Sequence, residues 1–115
     1  MSSRDPVDWN VLRAATDNDK GAMKEVISIY LHEGVKKVKA LRSAVEGQDP
    51  DQIVMLAHQF LGSSRFVGAT EIGKPLSALV KMGRSHQLNS TAAQLVNRTE
   101  KEFVRIDHFL TAPHE

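Results

Sequence analysis

The residues with the clearest chemical potential lie in one segment, Ala57-His58-Gln59-Phe60-Leu61-Gly62-Ser63-Ser64. The imidazole of His58 can act as a nucleophile or carry a proton. Gly62 follows four residues later, which on a helix places it on the same face, one turn on. Because glycine costs about 1 kcal/mol relative to alanine inside a helix, its presence beside the histidine suggests that another protein approaches this face closely.

The spacing of apolar residues predicts which way His58 points. At about 100° per residue, one stripe collects the apolar and small residues, and this stripe is the expected core face. Its members are Ile53, Leu56, Ala57, Phe60, Ser64 and Val67. The opposite, outward side holds His58, Asp51, Met55, Gly62 and Arg65. We therefore expect a solvated histidine, flanked by Val54, Met55 and Leu61 as an apolar collar typical of a docking surface. The alternative is an exposed helical histidine without function.

Composition limits the classes of protein to which the chain can belong. Its 115 residues fit one domain, 1–115. A net charge of +1 does not indicate a basic surface that binds nucleic acid. There is no cysteine, which excludes disulfides and thiolate metal sites. No apolar run approaches the roughly 20 residues that span a bilayer, and the N-terminus lacks the apolar stretch of a signal peptide. We expect a soluble cytoplasmic protein, a monomer, that binds neither nucleic acid nor membrane.

All periodic segments have the helical period. Asp8 caps a predicted short helix over about 9–16, Asp17-Asn18-Asp19 precedes a long helix that ends near Glu46, and Asp49-Pro50 starts the histidine helix, about 50–67. A further helix is expected over about 70–84, regular only from Lys74, and a last one follows Asn89-Ser90, before a frayed tail over 113–115. Short connections favour an all-α fold, an antiparallel up-down-up-down four-helix bundle with a short extra N-terminal helix.

In this setting the histidine segment resembles the active helix of histidine-containing phosphotransfer (Hpt) domains. The family pattern is roughly Ala-His-x-Leu-Lys-Gly-Ser/Ala-Ser/Ala, then Gly-Ala about three residues later. Residues 57–69 of this chain, which end in Gly68-Ala69, are similar to it. The helix end and turn over 41–49 and the early start over 8–12 are similar too. The resemblance spans nearly the whole chain and implies a four-helix bundle that relays a phosphoryl group between receiver domains.

Two positions depart from the family pattern. The family usually has lysine three residues after the histidine, where its charge can neutralise the phosphoryl group, and here that residue is Leu61. The family often has Gln or Glu on the facing helix, just after a leucine, and here that residue is Val80. Both changes make the surroundings of His58 less polar than the family norm.

The resemblance assigns roles and partners. His58 is expected to be the phosphoryl acceptor, and the expected partners are response-regulator receiver domains, with a hybrid histidine kinase as a further one. The chain is expected to need no cofactor or metal, since the receiver would bring the acceptor aspartate and Mg²⁺. It is expected to be a phosphotransfer intermediate rather than a turnover enzyme, because no Gly-rich phosphate loop is present. Gln59, with Val54, Met55 and Leu61, is expected to contact the receiver, and Gly62 to leave it room.

Three cations are candidates for the missing lysine. Arg65 lies two helical turns along the face of His58, about 10 Å away at the backbone. Lys81 and Arg84 lie on the next helix, which should pack antiparallel beside the histidine helix. Each also has a simpler interpretation as a surface charge that solvates the bundle. The other histidines show no shared spacing and no acidic partners in a ligand pattern, so we expect no metal site.

Three interpretations remain open from the residues. The first is an active phosphorelay intermediate that works through His58. The second is a binding module that docks receivers but transfers phosphate poorly or never, which Leu61 and Val80 favour. The third is an unrelated helical scaffold. Two origins fit the chain as given, a diffusible shuttle and a domain excised from a hybrid kinase.

Overall fold

The computed structural model describes residues 5–112, and the tail predicted over 113–115 lies outside them. These residues form five helices and no strand: α1 (Trp9–Ala15), α2 (Lys20–Glu46), α3 (Pro50–Phe66), α4 (Gly73–Arg84) and α5 (Ser90–Thr111). The all-α class predicted from the sequence is confirmed. Within this part of the chain, no helix combines the length and apolar character that crossing a membrane requires.

Four of the five helices begin at a side chain that accepts a backbone hydrogen bond. Asp8 caps α1 through the N–H of Asn10 at 2.9 Å, and Asp19 caps α2 through Ala22 at 3.0 Å. Asp49 caps α3, with Pro50 in its first turn, and Asn89 caps α5. These residues satisfy backbone donors that the helix itself leaves free, and they are the caps that the sequence predicts. The remaining helix, α4, begins at Gly73 without a side-chain cap.

The turn after α3 ties the short N-terminal helix to the bundle. Gly68 adopts a positive φ of 84°, a conformation that glycine reaches without strain. Its carbonyl accepts a hydrogen bond of 2.8 Å from the backbone N–H of Asp8. A Cβ at Gly68 would lie 2.5 Å from the carbonyl oxygen of Asp8, so only glycine allows this approach. Trp9 completes the attachment by packing on Phe109 of α5, with ring centroids 5.6 Å apart and ring planes tilted by 36°.

Helices α2 to α5 form a closed ring in which α2 and α4 each pack against both α3 and α5. The contacts show that α3 and α4 run in opposite directions. Gly83, at the end of α4, packs on Val54 near the start of α3, whereas Gly73, at the start of α4, packs on Leu61 further along α3.

The pair α2 and α5 is also antiparallel. Arg42 of α2 bonds Glu100 of α5 at 2.6 Å, while the earlier Gly34 packs against the later Phe103. The Phe103 ring occupies the place that a Cβ of Gly34 would take, so glycine at this position lets α2 and α5 pack closely.

The core is centred on the rings of Tyr30, Phe60 and Phe103, whose centroids lie between 5.8 and 6.0 Å apart. The core stripe predicted for α3 is confirmed, because its residues are buried except Leu56, which is half-buried. The fold therefore holds the inner face of α3 on three other helices and leaves its outer face to solvent.

Candidate functional site

His58 lies in the middle of α3 and is exposed to solvent, as the apolar spacing predicts. Two nearby residues of α3, Ala57 before His58 and Phe60 after it, are fully buried. Because Ala57 and Phe60 anchor this part of α3 in the core, the helix holds the backbone of His58 in a defined position. Among residues 5–112 no hydrogen bond or ion pair engages its ring, so the nitrogens are accessible to an incoming molecule.

Gly62 forms an open notch one turn along the same face. A Cβ at this position would meet no atom within 4 Å. At Gly34 and Gly83, by contrast, a Cβ would clash with a neighbouring helix. Packing inside the described part of the chain therefore does not require glycine at position 62, although its helix cost of about 1 kcal/mol remains.

Of the three residues predicted to form an apolar collar around His58, one is exposed, one is half-buried and one is buried. Met55 is 44% exposed and Gln59 is exposed, but Val54 is half-buried. Leu61 is only 8% exposed and belongs to the core. The predicted docking residues Val54 and Leu61 therefore do not form an outward apolar surface.

Two glycines of α4 are the physical reason. A Cβ on Gly83 would lie 2.6 Å from Cγ2 of Val54, and one on Gly73 would lie 3.3 Å from Cδ1 of Leu61. Small residues at both ends let α4 approach α3 closely, and this approach covers that flank of the helix. The spacing of residues within α3 predicts that this flank is exposed to solvent. That spacing carries no information about how closely the neighbouring helix α4 packs.

The second departure from the family pattern is also buried. Val80 of α4 is 7% exposed. The two positions at which the family often carries polar side chains near the histidine are thus occupied here by core residues, Leu61 and Val80. No polar group from either position is available to His58.

The three candidate cations are all exposed, and none has a side-chain partner among residues 5–112. Their distances from His58 along the bundle differ. Gly83 packs at the level of Val54, about 6 Å below His58 along α3. Lys81 lies about 3 Å nearer to the level of His58 than Gly83, and Arg84 about 1.5 Å further away. Arg65 lies about 10 Å along α3 in the other direction.

A surface feature that the sequence analysis missed lies on the other flank of α3. A groove of about 480 Å³ separates α2 from α3. Its outer walls carry two large exposed apolar side chains, Ile29 at 57% and Phe66 at 52% exposure. A signal was present in the sequence, since Phe66 follows Phe60 by six residues and therefore points about 120° away from it.

The buried polar groups near the site have structural partners. The hydroxyl of Tyr30 and Oγ of Ser64 lie 2.8 Å apart, and Oγ of Ser63 donates to the carbonyl of Phe60 at 3.1 Å. Burial raises the pKa of the Tyr30 phenol to about 12, although the bond to Ser64 acts in the opposite direction. Within residues 5–112 no three His, Asp or Glu side chains are grouped so that they could hold a metal ion.

The chain resembles known proteins in both sequence and fold. The Hpt domain family matches residues 25–111. A similar solved structure is histidine-containing phosphotransfer protein B (HptB) from Pseudomonas aeruginosa PAO1, with a TM-score of 0.86 at 20% identity, over 94% of this chain and 93% of that one. No curated protein matches the chain significantly.

The chain therefore belongs to the Hpt domain family, whose members serve phosphotransfer signalling in two-component systems. The resemblance identified from the residues is confirmed, and the interpretation as an unrelated scaffold is wrong. The family match includes α3 with His58 and begins after α1.

Proposed function

We propose that this protein is a phosphorelay intermediate in which His58 accepts a phosphoryl group from the aspartyl phosphate of one receiver domain and passes it to another. The observation that carries the proposal is the combination of an exposed, unengaged His58 with the open notch at Gly62 on the outer face of an Hpt bundle. A receiver can bring its phosphoryl group against the imidazole without displacing any helix.

The reaction is a displacement at phosphorus. A neutral ring nitrogen of His58 attacks with its lone pair, a P–N bond forms, and the P–O bond to the aspartyl carboxylate breaks. The carboxylate leaves with the bonding electron pair, and the other ring nitrogen keeps its proton. Transfer to the next receiver reverses these steps. The chain supplies a positioned nucleophile, while the receiver supplies Mg²⁺ for the charge spread over the phosphoryl oxygens.

The chain itself contributes positive charge around the nucleophile. Lys81, Arg65 and Arg84 are exposed, lie within about 10 Å of the level of His58 along the bundle, and have no partner among residues 5–112. Charge-assisted hydrogen bonds from such groups to phosphoryl oxygens are stronger than neutral ones. We infer that these cations perform the task of the lysine that Leu61 replaces. Because His58 carries the phosphoryl group covalently from one receiver to the next, we infer that the protein acts as a phosphotransfer intermediate rather than as a turnover enzyme.

The test uses a panel of purified receiver domains, each phosphorylated with radiolabelled acetyl phosphate. The protein should acquire an acid-labile, base-stable label from at least one receiver. His58→Gln should acquire none, whereas the matched variant His32→Gln, an exposed histidine of α2, should label as the wild type does. A label that persists in His58→Gln, or a wild type that no receiver labels, defeats the proposal.

A second candidate function is a receiver-binding module that transfers phosphate poorly or not at all. The burial of Leu61 and Val80 favours it, because neither position can present a polar group to the phosphoryl group. The same experiment separates the two functions. Receiver binding without a label on His58 would indicate a module that sequesters or regulates a response regulator.

A further inference from the structure

Two exposed valines share the outer surface that α2 and α5 form together, which we call the α2–α5 face. Val35 is 50% exposed and Val104 is 49% exposed. Each directly follows a residue of the contact between the two helices, since Gly34 packs against Phe103. In two antiparallel helices, the residues that follow two facing positions both turn by about 100° to the same side of the pair. The valines therefore form one apolar patch, which is costly to leave in water.

The charges along α2 are arranged symmetrically about Val35. Lys24 lies eleven residues before Val35, and Glu46 lies eleven residues after it. Because eleven residues make about three helical turns, the three side chains follow one stripe, with a charge about 16 Å from the valine on each side. Both charged side chains are exposed, and among residues 5–112 neither has an ion-pair partner.

The charges along α5 repeat this arrangement about Val104. Lys101 lies three residues before Val104, and Asp107 lies three residues after it. Lys101 is exposed and Asp107 is half-buried, and neither forms an ion pair within the described part of the chain. On each helix, therefore, a lysine on one side of the valine has an unpaired carboxylate at the same distance on the other side.

A surface of this kind is complementary to itself under a two-fold axis. If the axis crosses both valines at right angles to the helices, each helix of one copy lies antiparallel on the same helix of the other. Lys24 of one copy then faces Glu46 of the other. Lys101 faces Asp107 in the same way. The alternative axis, parallel to the helices, would instead bring Lys39 within about one turn of Lys101 of the other copy, which places like charges together.

The α2–α5 face has enough area for a specific but weak dimer. It is two helices wide, about 20 Å, and the helices run side by side over about 27 Å. The two copies together would bury at least about 1,000 Å², which is the size at which specific interfaces begin.

We propose that the protein forms a two-fold symmetric homodimer through the α2–α5 face. This state differs from the monomer expected from the sequence, in which Val35 and Val104 are far apart. In the ring of helices α3 lies diagonally opposite α5, and His58 is exposed on its outer side, so both copies of His58 stay accessible in the dimer. A dimeric partner that engages both copies gains avidity.

The apolar part is tested by sedimentation velocity on the full chain at about 1 to 500 μM, where the wild type should pass from monomer to dimer. Val35→Asp and Val104→Asp should each weaken dimerisation at least about tenfold. Ile29→Asp is the matched control, because Ile29 is 57% exposed but faces the groove between α2 and α3. It should weaken dimerisation less than about twofold. A wild type that stays monomeric throughout, or valine variants that dimerise as well as the control, overturn the proposal.

The charged part is tested by exchanging the signs of one pair. Lys101→Asp and Asp107→Lys each place like charges across the interface, and each should weaken dimerisation about fivefold at low salt, where screening is least. The variant with both substitutions again pairs opposite charges and should dimerise within about twofold of the wild type. A double variant as weak as the single ones would overturn the proposed register.

Two further comparisons guard against effects on folding. Arg98→Asp changes an exposed cation of α5 that points about 120° away from Val104, and it should leave dimerisation unchanged. The same exchange of signs at Lys24 and Glu46 repeats the charge test at two exposed residues. Thermal unfolding of every variant checks that the fold is retained.

Labelling of His58 separates this inference from the proposed function, on which the dimer does not depend. The variants at Val35 and Val104 should acquire the phosphoryl label from a receiver at the wild-type rate. A wild type that dimerises through this face but is never labelled supports the dimer and defeats phosphotransfer. Variants that lose both the dimer and the label would place the receiver on the α2–α5 face and overturn the inference.

Discussion

The hydroxyl groups of Tyr30 and Ser64 lie 2.8 Å apart in the core and join α2 to the helix that carries His58. Tyr30 is 5% exposed and contacts the rings of Phe60 and Phe103. The same side chain forms part of the floor of the α2–α3 groove. A buried hydrogen bond and the packing of Tyr30 on Phe60 therefore join the two helices that border this groove.

The raised pKa of Tyr30 makes stability dependent on alkaline pH. Burial raises the pKa from 10.0 to about 12, so the folded protein holds this proton more tightly than the unfolded chain. The contribution is fully present below pH 10 and is lost as the pH rises through 12. We expect it to reduce the free energy of unfolding by about 2 to 3 kcal/mol over this window.

The measurement is urea unfolding of the wild type and of Tyr30→Phe between pH 8 and pH 12. Any other change in stability over this pH range is common to both proteins, so the comparison between them cancels it. Tyr30→Phe should lack the additional loss of stability above pH 10. Parallel curves for the two proteins would show that the phenol does not titrate in a buried site.

Local chemistry explains why much of this fold was predictable. Caps such as Asp49 depend on a side chain and backbone groups two or three residues away, and the core face of α3 depends on spacing within one helix. The burial of Leu61, by contrast, does not depend on local chemistry within α3. It depends on how closely α4 approaches, which Gly73 and Gly83 determine from another helix. The groove beside Phe66 was missed for the same reason, since it exists only where two helices meet.

The burial of Leu61 predicts that the family lysine does not fit at this position. Leu61→Lys must either bury an ammonium group or force its stem out past α4, which packs on Leu61 at Gly73. We expect a loss of about 1 to 3 kcal/mol in the free energy of unfolding, measured by urea titration. Leu61→Met, which conserves apolar volume, should cost less than about 1.5 kcal/mol. A Leu61→Lys protein as stable as the wild type would place this residue at the surface.

The position of Lys81 predicts an order among the cations. Lys81 lies nearer than Arg84 to the level of His58, because Gly83 between them packs beside Val54. In single-turnover phosphotransfer from a receiver, Lys81→Ala should slow transfer about three- to tenfold and Arg84→Ala less. The triple variant that also contains Arg65→Ala should be slowest, and Lys101→Ala, an exposed lysine of α5, should have no effect. Unchanged rates in the triple variant would identify all three as ordinary surface charges.

Gly62 offers a substitution in which stability and function should move in opposite directions. A Cβ there meets no atom of the described chain within 4 Å, so Gly62→Ala should gain about 0.5 to 1 kcal/mol of stability from helix propensity alone. The new methyl group occupies the notch beside His58, and we expect phosphotransfer from a receiver to slow at least about tenfold.

Thermal unfolding and single-turnover transfer, measured on the same preparation, check both effects of Gly62→Ala. Ser43→Ala is the matched control, because it replaces an exposed residue within α2 and should raise stability without changing transfer. A Gly62→Ala protein that is stabilised but transfers at the wild-type rate would show that the receiver leaves the notch empty. Lost stability would instead show that glycine is needed for packing, which the open space around position 62 contradicts.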